Sequence, residues 1–409
     1  MRITFVSNYI NHHQIPFCNA MSKLAAQEGG SFFFVQTEPM EQERVRMGWQ
    51  LQELPEYAHC YYEEEAFCRQ LVLDSDVVLF GGCDEEAYIA ERLTQGKLVI
   101  RYSERLYKTG QWKAISPRGL KKKYRDHTCY RKAPVYLLCA GGYVPSDFHL
   151  VHAYPGKMFC WGYFPEKRRY DIEQLLKDKG YRGGTGSSAK IPYLLWAGRM
   201  IDWKHPELPL QTAAYLKGQG LTFHMDVIGG GDMEEQMRSL LQELGLEKQV
   251  SFLGFRTPQQ VREHMERADI YLFTSDRQEG WGAVANEAMN SGCALVADHM
   301  IGAVPYLVRH GENGLIYRDG DKEMLFRQAA ELVRDADFRK RLGRAAYETV
   351  TQRWNAEYAA EKLMVLCDRL LNADAARWRS EEPPAGPLSP CDPAPVIAER
   401  KMLPWLIRK

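Results

Sequence analysis

Four charged side chains are spaced to grip a diphosphate and the groups on either side of it: Arg199, Lys204, Glu279 and Glu287. The two carboxylates stand eight residues apart around the turn Gly280-Trp281-Gly282 and the opening of Ala283-Val284-Ala285-Asn286. A carboxylate accepts paired hydrogen bonds from vicinal hydroxyls, and fixed cations stabilise departing phosphate charge. Read alone, the Glu pair also fits a solvated Glu279 and an ordinary helix-surface Glu287, and the cations fit two surface groups.

The elements that must hold these residues are legible. Asp269–Thr274 is a short apolar run of the kind expected of a buried parallel strand, and 283–290 has helical composition ended by Gly292. Gly280-Trp281-Gly282 therefore reads as a strand-to-helix turn, whose free N–H groups and helix dipole suit an anion. Strands are also expected at Pro192–Ala197, Phe223–Ile228, Val250–Leu253, Ala294–Ala297 and Gly314–Tyr317. In a doubly wound parallel sheet, ligands bind outside the carboxyl ends of the strands. Arg199, Gly229-Gly230-Gly231, Gly254 and Glu279-Gly280 each follow a strand, so four loops are expected to converge there.

The first part alternates in the same way, with strand-like runs at Ile3–Val6, Ser31–Val35, Val77–Phe80, Leu98–Tyr102 and Val135–Cys139 separated by segments such as Ile15–Ala26 and Glu85–Thr94. A composition break follows Phe164-Pro165. The expected organisation is α/β with two doubly wound domains, 1–165 and 191–352, joined by a linker at 166–190, then a helix at 353–375 and a disordered tail at 376–409 rich in Pro and acids.

The chain has 409 residues, 45% apolar, with 53 basic and 53 acidic side chains. That length supports two cores, and zero net charge argues against a general nucleic-acid binder. Ten cysteines without a Cys-x-x-Cys pair fit a reducing cytoplasm. Met1–Ser7 runs straight into a strand pattern, and no stretch approaches eighteen apolar residues, so neither export nor a membrane span is expected.

In order and spacing, Gly198-Arg199 with Lys204, Gly229-Gly230-Gly231, Phe252-Leu253-Gly254, Glu279 with Glu287, and Gly311-Glu-Asn-Gly-Leu315 resemble family-4 glycosyltransferases of the GT-B fold, two Rossmann-like domains facing across a cleft. The likeness covers roughly 190–320. It implies a nucleotide-sugar donor, UDP by family frequency, with Arg199 and Lys204 on the diphosphate, Glu279 on the donor sugar and Glu287 on the ribose. The backbone at Gly282, Ala283 and Val284 would face the phosphates, and Gly254-Phe255-Arg256 would hold the base. Members of the family retain anomeric configuration and need no metal or other cofactor. The C-terminal helix, here Trp354–Leu371, is expected to pack back on the first domain.

The acceptor side departs from the family pattern. Asn8–Gln14 stands where a Gly-Gly turn is frequent, Ser103-Glu104-Arg105 where a His is common, and His205 where a Gly often follows the lysine. Glu104 can hold the acceptor hydroxyl or take its proton; equally, it can pair with a neighbouring Arg. His12 and His13 follow the first strand, where inverting GT-B enzymes often carry a base, and they keep that mechanism open beside a cap or solvent role. The same fold could also serve a nucleotide-sugar epimerase or a non-catalytic partner subunit.

Between Lys113 and Lys132 eight basic residues face one acid, Asp126, interleaved with Trp112, Leu120, Tyr124 and Tyr130. The segment 112–132 suits an anionic membrane surface, or is a solvated basic loop. With it, the expected acceptor is a glycan or polyprenyl-linked glycan at the inner face of the membrane, in cell-surface polysaccharide synthesis. Asp319-Gly-Asp321 spells a metal motif but reads as a polar turn. No metal site is expected.

Overall fold

The computed structural model describes residues 1–46, 51–83, 85–182, 190–372, 378 and 386–391. It divides into two units, 1–166 with 353–409, and 167–352.

In the first unit, β1 (Arg2–Ser7), β2 (Ser31–Gln36), β3 (Ala58–Cys60), β4 (Val77–Phe80), β5 (Val99–Ser103), β6 (Val135–Ala140) and β7 (Met158–Trp161) form one sheet in the order β3-β2-β1-β4-β5-β6-β7. All pairings are parallel. Helix Ile15–Gln27 buries Phe17, Cys18 and Met21 and packs against helix Ala356–Leu371, which Asn355 caps by accepting from the Tyr358 N–H at 3.0 Å.

The second unit carries β8 (Tyr193–Ala197), β9 (His224–Ile228), β10 (Val250–Gly254), β11 (Ile270–Phe273), β12 (Ala294–Asp298) and β13 (Leu315–Tyr317), in the order β10-β9-β8-β11-β12-β13, again all parallel. Such strands are buried on both faces, which is why their sequences are continuous apolar runs; Leu194, Val227, Leu272 and Val296 meet in the core. The order reverses between β8 and β11. A crevice at the carboxyl end of a doubly wound sheet opens at that switch point.

Three expectations are corrected. The stretch 166–190 is not a bare linker: helix Ile172–Asp178, capped by Asp171, belongs to the second unit, with Arg344 bonded to Glu173 at 2.5 and 2.7 Å. Lys179 is buried there with Nζ donating to the carbonyls of Met265, Glu266 and Ala268, while 183–189 lie outside the described residues. Residues 386–391, expected in a disordered tail, instead run along β7. Leu388 and Ser389 exchange backbone hydrogen bonds with Cys160 at 2.7 and 2.8 Å. The buried Leu388 and the Trp378 indole, which donates to the Leu388 carbonyl at 3.1 Å, supply the apolar area that holds them. The rest of the tail, 379–385 and 392–409, is outside the described residues. Finally, β3 and β7 are strands beyond those expected from the residue pattern.

Candidate active site

Gly198 leaves β8 with its N–H donating to the Ile228 carbonyl of β9, and Gly229 leaves β9 donating to the Gly254 carbonyl of β10, at 3.0 and 2.9 Å. Met200 N–H then bonds the Gly230 carbonyl at 2.8 Å. These bonds draw the turns after β8, β9 and β10 into one mesh. Gly229 is required by it: its φ is +124°, and a Cβ there would lie 1.9 Å from the Gly198 carbonyl oxygen.

Across the switch point, the loop after β11 is fastened to the same mesh. Thr274 Oγ1 accepts from the Trp196 indole at 2.9 Å and donates to the Lys204 carbonyl at 2.8 Å, and Asp276 N–H bonds the Trp203 carbonyl at 3.0 Å. The Lys204 ammonium, 4.6 Å from the Trp203 ring centre, donates to Glu279 Oε2. Lys204 and Glu279 are thus brought together from loops 75 residues apart. Arg199 is exposed on the first of these loops.

His205 ties the loop after β8 to the loop after β11. It takes a left-handed conformation, φ 50°, and its ring nitrogens stand 3.2 Å from Glu207 and 3.7 Å from Asp276. Asp276, then Glu207, raises its pKa to about 10, so it is an imidazolium at neutral pH. Nothing in the residue order announced this clamp beyond the unusual His after the lysine.

Gly282 takes φ +88°, and a Cβ there would come within 2.5 Å of Phe273, so the turn admits no side chain. Trp281 differs from the expected donor contact. Its indole is in the core and donates to Asn286 at 2.8 Å, so its side chain holds the turn. Helix Val284–Asn290 has only seven residues, which leaves Arg199 and Lys204 as the larger source of positive potential. Ala283 is its N-cap. Burial raises the Glu287 pKa against the opposing charges of Arg262 and Arg168. The buried Tyr271, bonded to the Ala197 carbonyl at 3.0 Å, is pushed well above its ordinary value by burial first and then by Glu287, Cys293 and Glu279. Gly254 (φ +67°) ends β10, followed by Phe255, 58% exposed, and Arg256.

In the first unit a cavity of about 840 Å³ opens at the carboxyl ends of the strands, lined by Ser103, Glu104, Lys108, Arg101, Lys122 and Tyr163 among others. Glu104 accepts from the Tyr163 hydroxyl at 2.6 Å and from Lys108, not from Arg105, which turns to the buried Asp147 at 3.4 Å. Ser103 Oγ donates to the Glu104 carbonyl at 2.7 Å. Neither Tyr163 nor Lys108 is among the residues that the motifs single out. Lys108 carries a signal, the Glu-x3-Lys spacing, whereas Tyr163 follows the unexpected strand β7. His12 and His13 lie after β1 with rings 3.9 Å apart. Burial lowers their pKa values to about 4 and about 3, leaving both neutral at pH 7.

Asp321 of the Asp-Gly-Asp run caps helix Lys322–Arg334, accepting from Met324 N–H at 2.9 Å. Among the described residues no group of three or more His, Cys, Asp or Glu is placed to hold a metal ion.

Residues 179–349 match the family described as glycosyl transferases group 1. The chain is 27% identical over 192 residues to the putative colanic acid biosynthesis glycosyltransferase WcaL of Salmonella typhimurium, covering 44% of this chain and 47% of that one. It is 30% identical over 146 residues to the amylovoran biosynthesis glycosyltransferase AmsK of Erwinia amylovora, 34% and 35% of the two chains. The chain thus spans about half of the first relative's length and about a third of the second's. Among solved structures, Anabaena HepE in complex with UDP superposes with a TM-score of 0.62 at 14% identity, covering 90% of this chain and 100% of that one. Residues 179–349 are therefore similar to group 1 glycosyltransferases, in a chain that shares the GT-B fold.

Proposed function

We propose that this chain is a retaining glycosyltransferase that moves a hexose-type sugar from a nucleoside-diphosphate sugar, with UDP as the nucleotide, to a hydroxyl of a glycan or lipid-linked glycan in cell-surface polysaccharide synthesis. The observation that carries it is the Lys204 to Glu279 contact at the switch point of the second sheet. It sets a cation for the diphosphate beside a carboxylate for sugar hydroxyls. Arg199 and Lys204 would stabilise the leaving diphosphate without a metal, Glu279 the donor sugar and Glu287 the ribose. The exposed Phe255 offers a face for the base. Glu104, braced by Tyr163 and Lys108, would receive the acceptor hydroxyl. The polysaccharide-assembly names of the relatives support the setting, and ten cysteines, eight of them buried, support the cytoplasm.

Retention is favoured over inversion by the two histidines: bases with pKa values of about 4 and 3 are poorly matched to taking a proton at pH 7. An epimerase would need no acceptor cavity. A non-catalytic subunit would not be expected to keep all four of Arg199, Lys204, Glu279 and Glu287.

The test is thermal stabilisation by UDP, GDP, ADP and TDP in wild type and in Glu287→Ala. A UDP-selective rise lost in the variant supports the reading; no rise with any of the four removes it. The anomeric configuration of the product, read by NMR, decides between retention and inversion.

A further inference from the structure

Helix Pro117–Asp126 and the 3-10 turn Gln111–Ile115 before it carry an unusual surface. Among the described residues ten large hydrophobic side chains are exposed, and four of them fall here: Trp112 (65%), Ile115 (74%), Leu120 (41%) and Tyr124 (63%). Leu120 and Tyr124 are one helical turn apart and share a face. Ile115 is a member that the residue pattern did not single out, whereas Tyr130 is withdrawn beneath the Arg101 guanidinium, 5.8 Å away.

Around this apolar group the helix exposes Arg118, Lys121, Lys122 and Arg125, and Lys113 stands over the Trp112 ring at 5.7 Å. The single acid of 111–132, Asp126, is buried and bonded to Arg125 at 2.9 Å. The segment is therefore cationic and apolar with no exposed acid of its own, in a chain whose formal net charge is zero. Trp and Tyr favour the water–lipid boundary, and a basic face flanking Trp and Leu is the signature of a helix lying in that boundary. A second copy of the chain would bring like charges together.

We infer that residues 111–126 seat the first unit on the anionic face of a lipid bilayer, so that the acceptor entering the Glu104 cavity is an amphiphile presented from that bilayer. The same helix supplies both sides of the arrangement, because Lys122, Lys123 and Asp126 also line the cavity. No helix among the described residues is long and apolar enough to cross a membrane, so the contact is superficial. Only the identity of the cavity's ligand rests on the glycosyl-transfer reading.

The experiment is flotation of the full chain with phosphatidylcholine vesicles, with and without phosphatidylglycerol, at 50 and 500 mM salt, beside Trp112→Ser/Tyr124→Ser and Arg118→Glu/Lys121→Glu. The expected result is binding to the anionic vesicles only, at least tenfold weaker in either variant and weakened by salt, with unchanged far-UV circular dichroism. Failure to float on anionic vesicles at low salt, equal binding to neutral vesicles, or full binding by the charge-reversed variant overturns the inference, as does a dimer that the Trp112→Ser/Tyr124→Ser variant loses. Nucleotide stabilisation measured on the same preparation separates the two claims: flotation without it leaves the membrane contact standing and removes the transferase reading.

Discussion

The Lys204 ammonium is bonded to the Glu279 carboxylate although one residue follows β8 and the other β11. Both side chains are largely buried, 16% and 12% exposed. Loss of one partner leaves an unpaired charge in a poorly solvated place, which is costly, whereas loss of both is less so. Lys204→Met is expected to lower kcat by about 100- to 1000-fold and to destabilise by about 2–3 kcal/mol. Adding Glu279→Gln should restore most of the melting temperature and none of the turnover. Recovery of turnover in the double variant would show that the pair is structural alone.

His205 supplies a pH dependence of defined sign. Its folded pKa, about 10, lies above the ordinary value of about 6.5. The stabilisation is therefore fully present below about pH 6.5 and falls as pH rises through about 10. Two partly buried ion pairs are worth on the order of 1–2 kcal/mol together. His205→Asn, which tolerates the left-handed backbone, should be less stable than wild type by that amount at pH 6 and nearly equal to it at pH 10.5 in urea unfolding. A gap independent of pH would exclude the imidazolium.

Glu104→Gln keeps the shape of the side chain while removing its charge. Transfer is expected to fall about 100-fold or more, with stabilisation by UDP unchanged, because Glu104 and the donor residues belong to different units. Loss of nucleotide binding in this variant would show that it acts through folding.

Leu388 is fully buried beside β7. Leu388→Ala should cost about 2–4 kcal/mol in urea unfolding. A cost below about 0.5 kcal/mol would mean that this segment does not dock in solution.

The α/β alternation was legible because strands buried on both faces must be uninterrupted apolar runs, as in Val77–Phe80 and Ala294–Asp298. β3, with the polar His59 at its centre, offered only three residues, and Met158–Trp161, as long as Val77–Phe80, lacks the β-branched residues that mark a strand. The turns after β8 to β11 were legible because glycines and charges directly follow apolar runs. The brace on Glu104 was not, since Tyr163 acts from 59 residues away behind a strand without β-branched residues. Nor was the burial of the Trp281 indole, because an aromatic beside two glycines has the same letter whether it faces ligand or core.

Helix Ala356–Leu371 belongs to the first unit although all of 167–352 precedes it. During synthesis, the surface of Ile15–Gln27 that it covers waits exposed until residues 356–371 have left the ribosome. The second unit, being continuous, can complete its core earlier. Chaperones that hold nascent chains would therefore find their longest-lived target on the amino-terminal half, and early termination near residue 350 would release a molecule with a finished carboxy-terminal sheet and an uncapped first one.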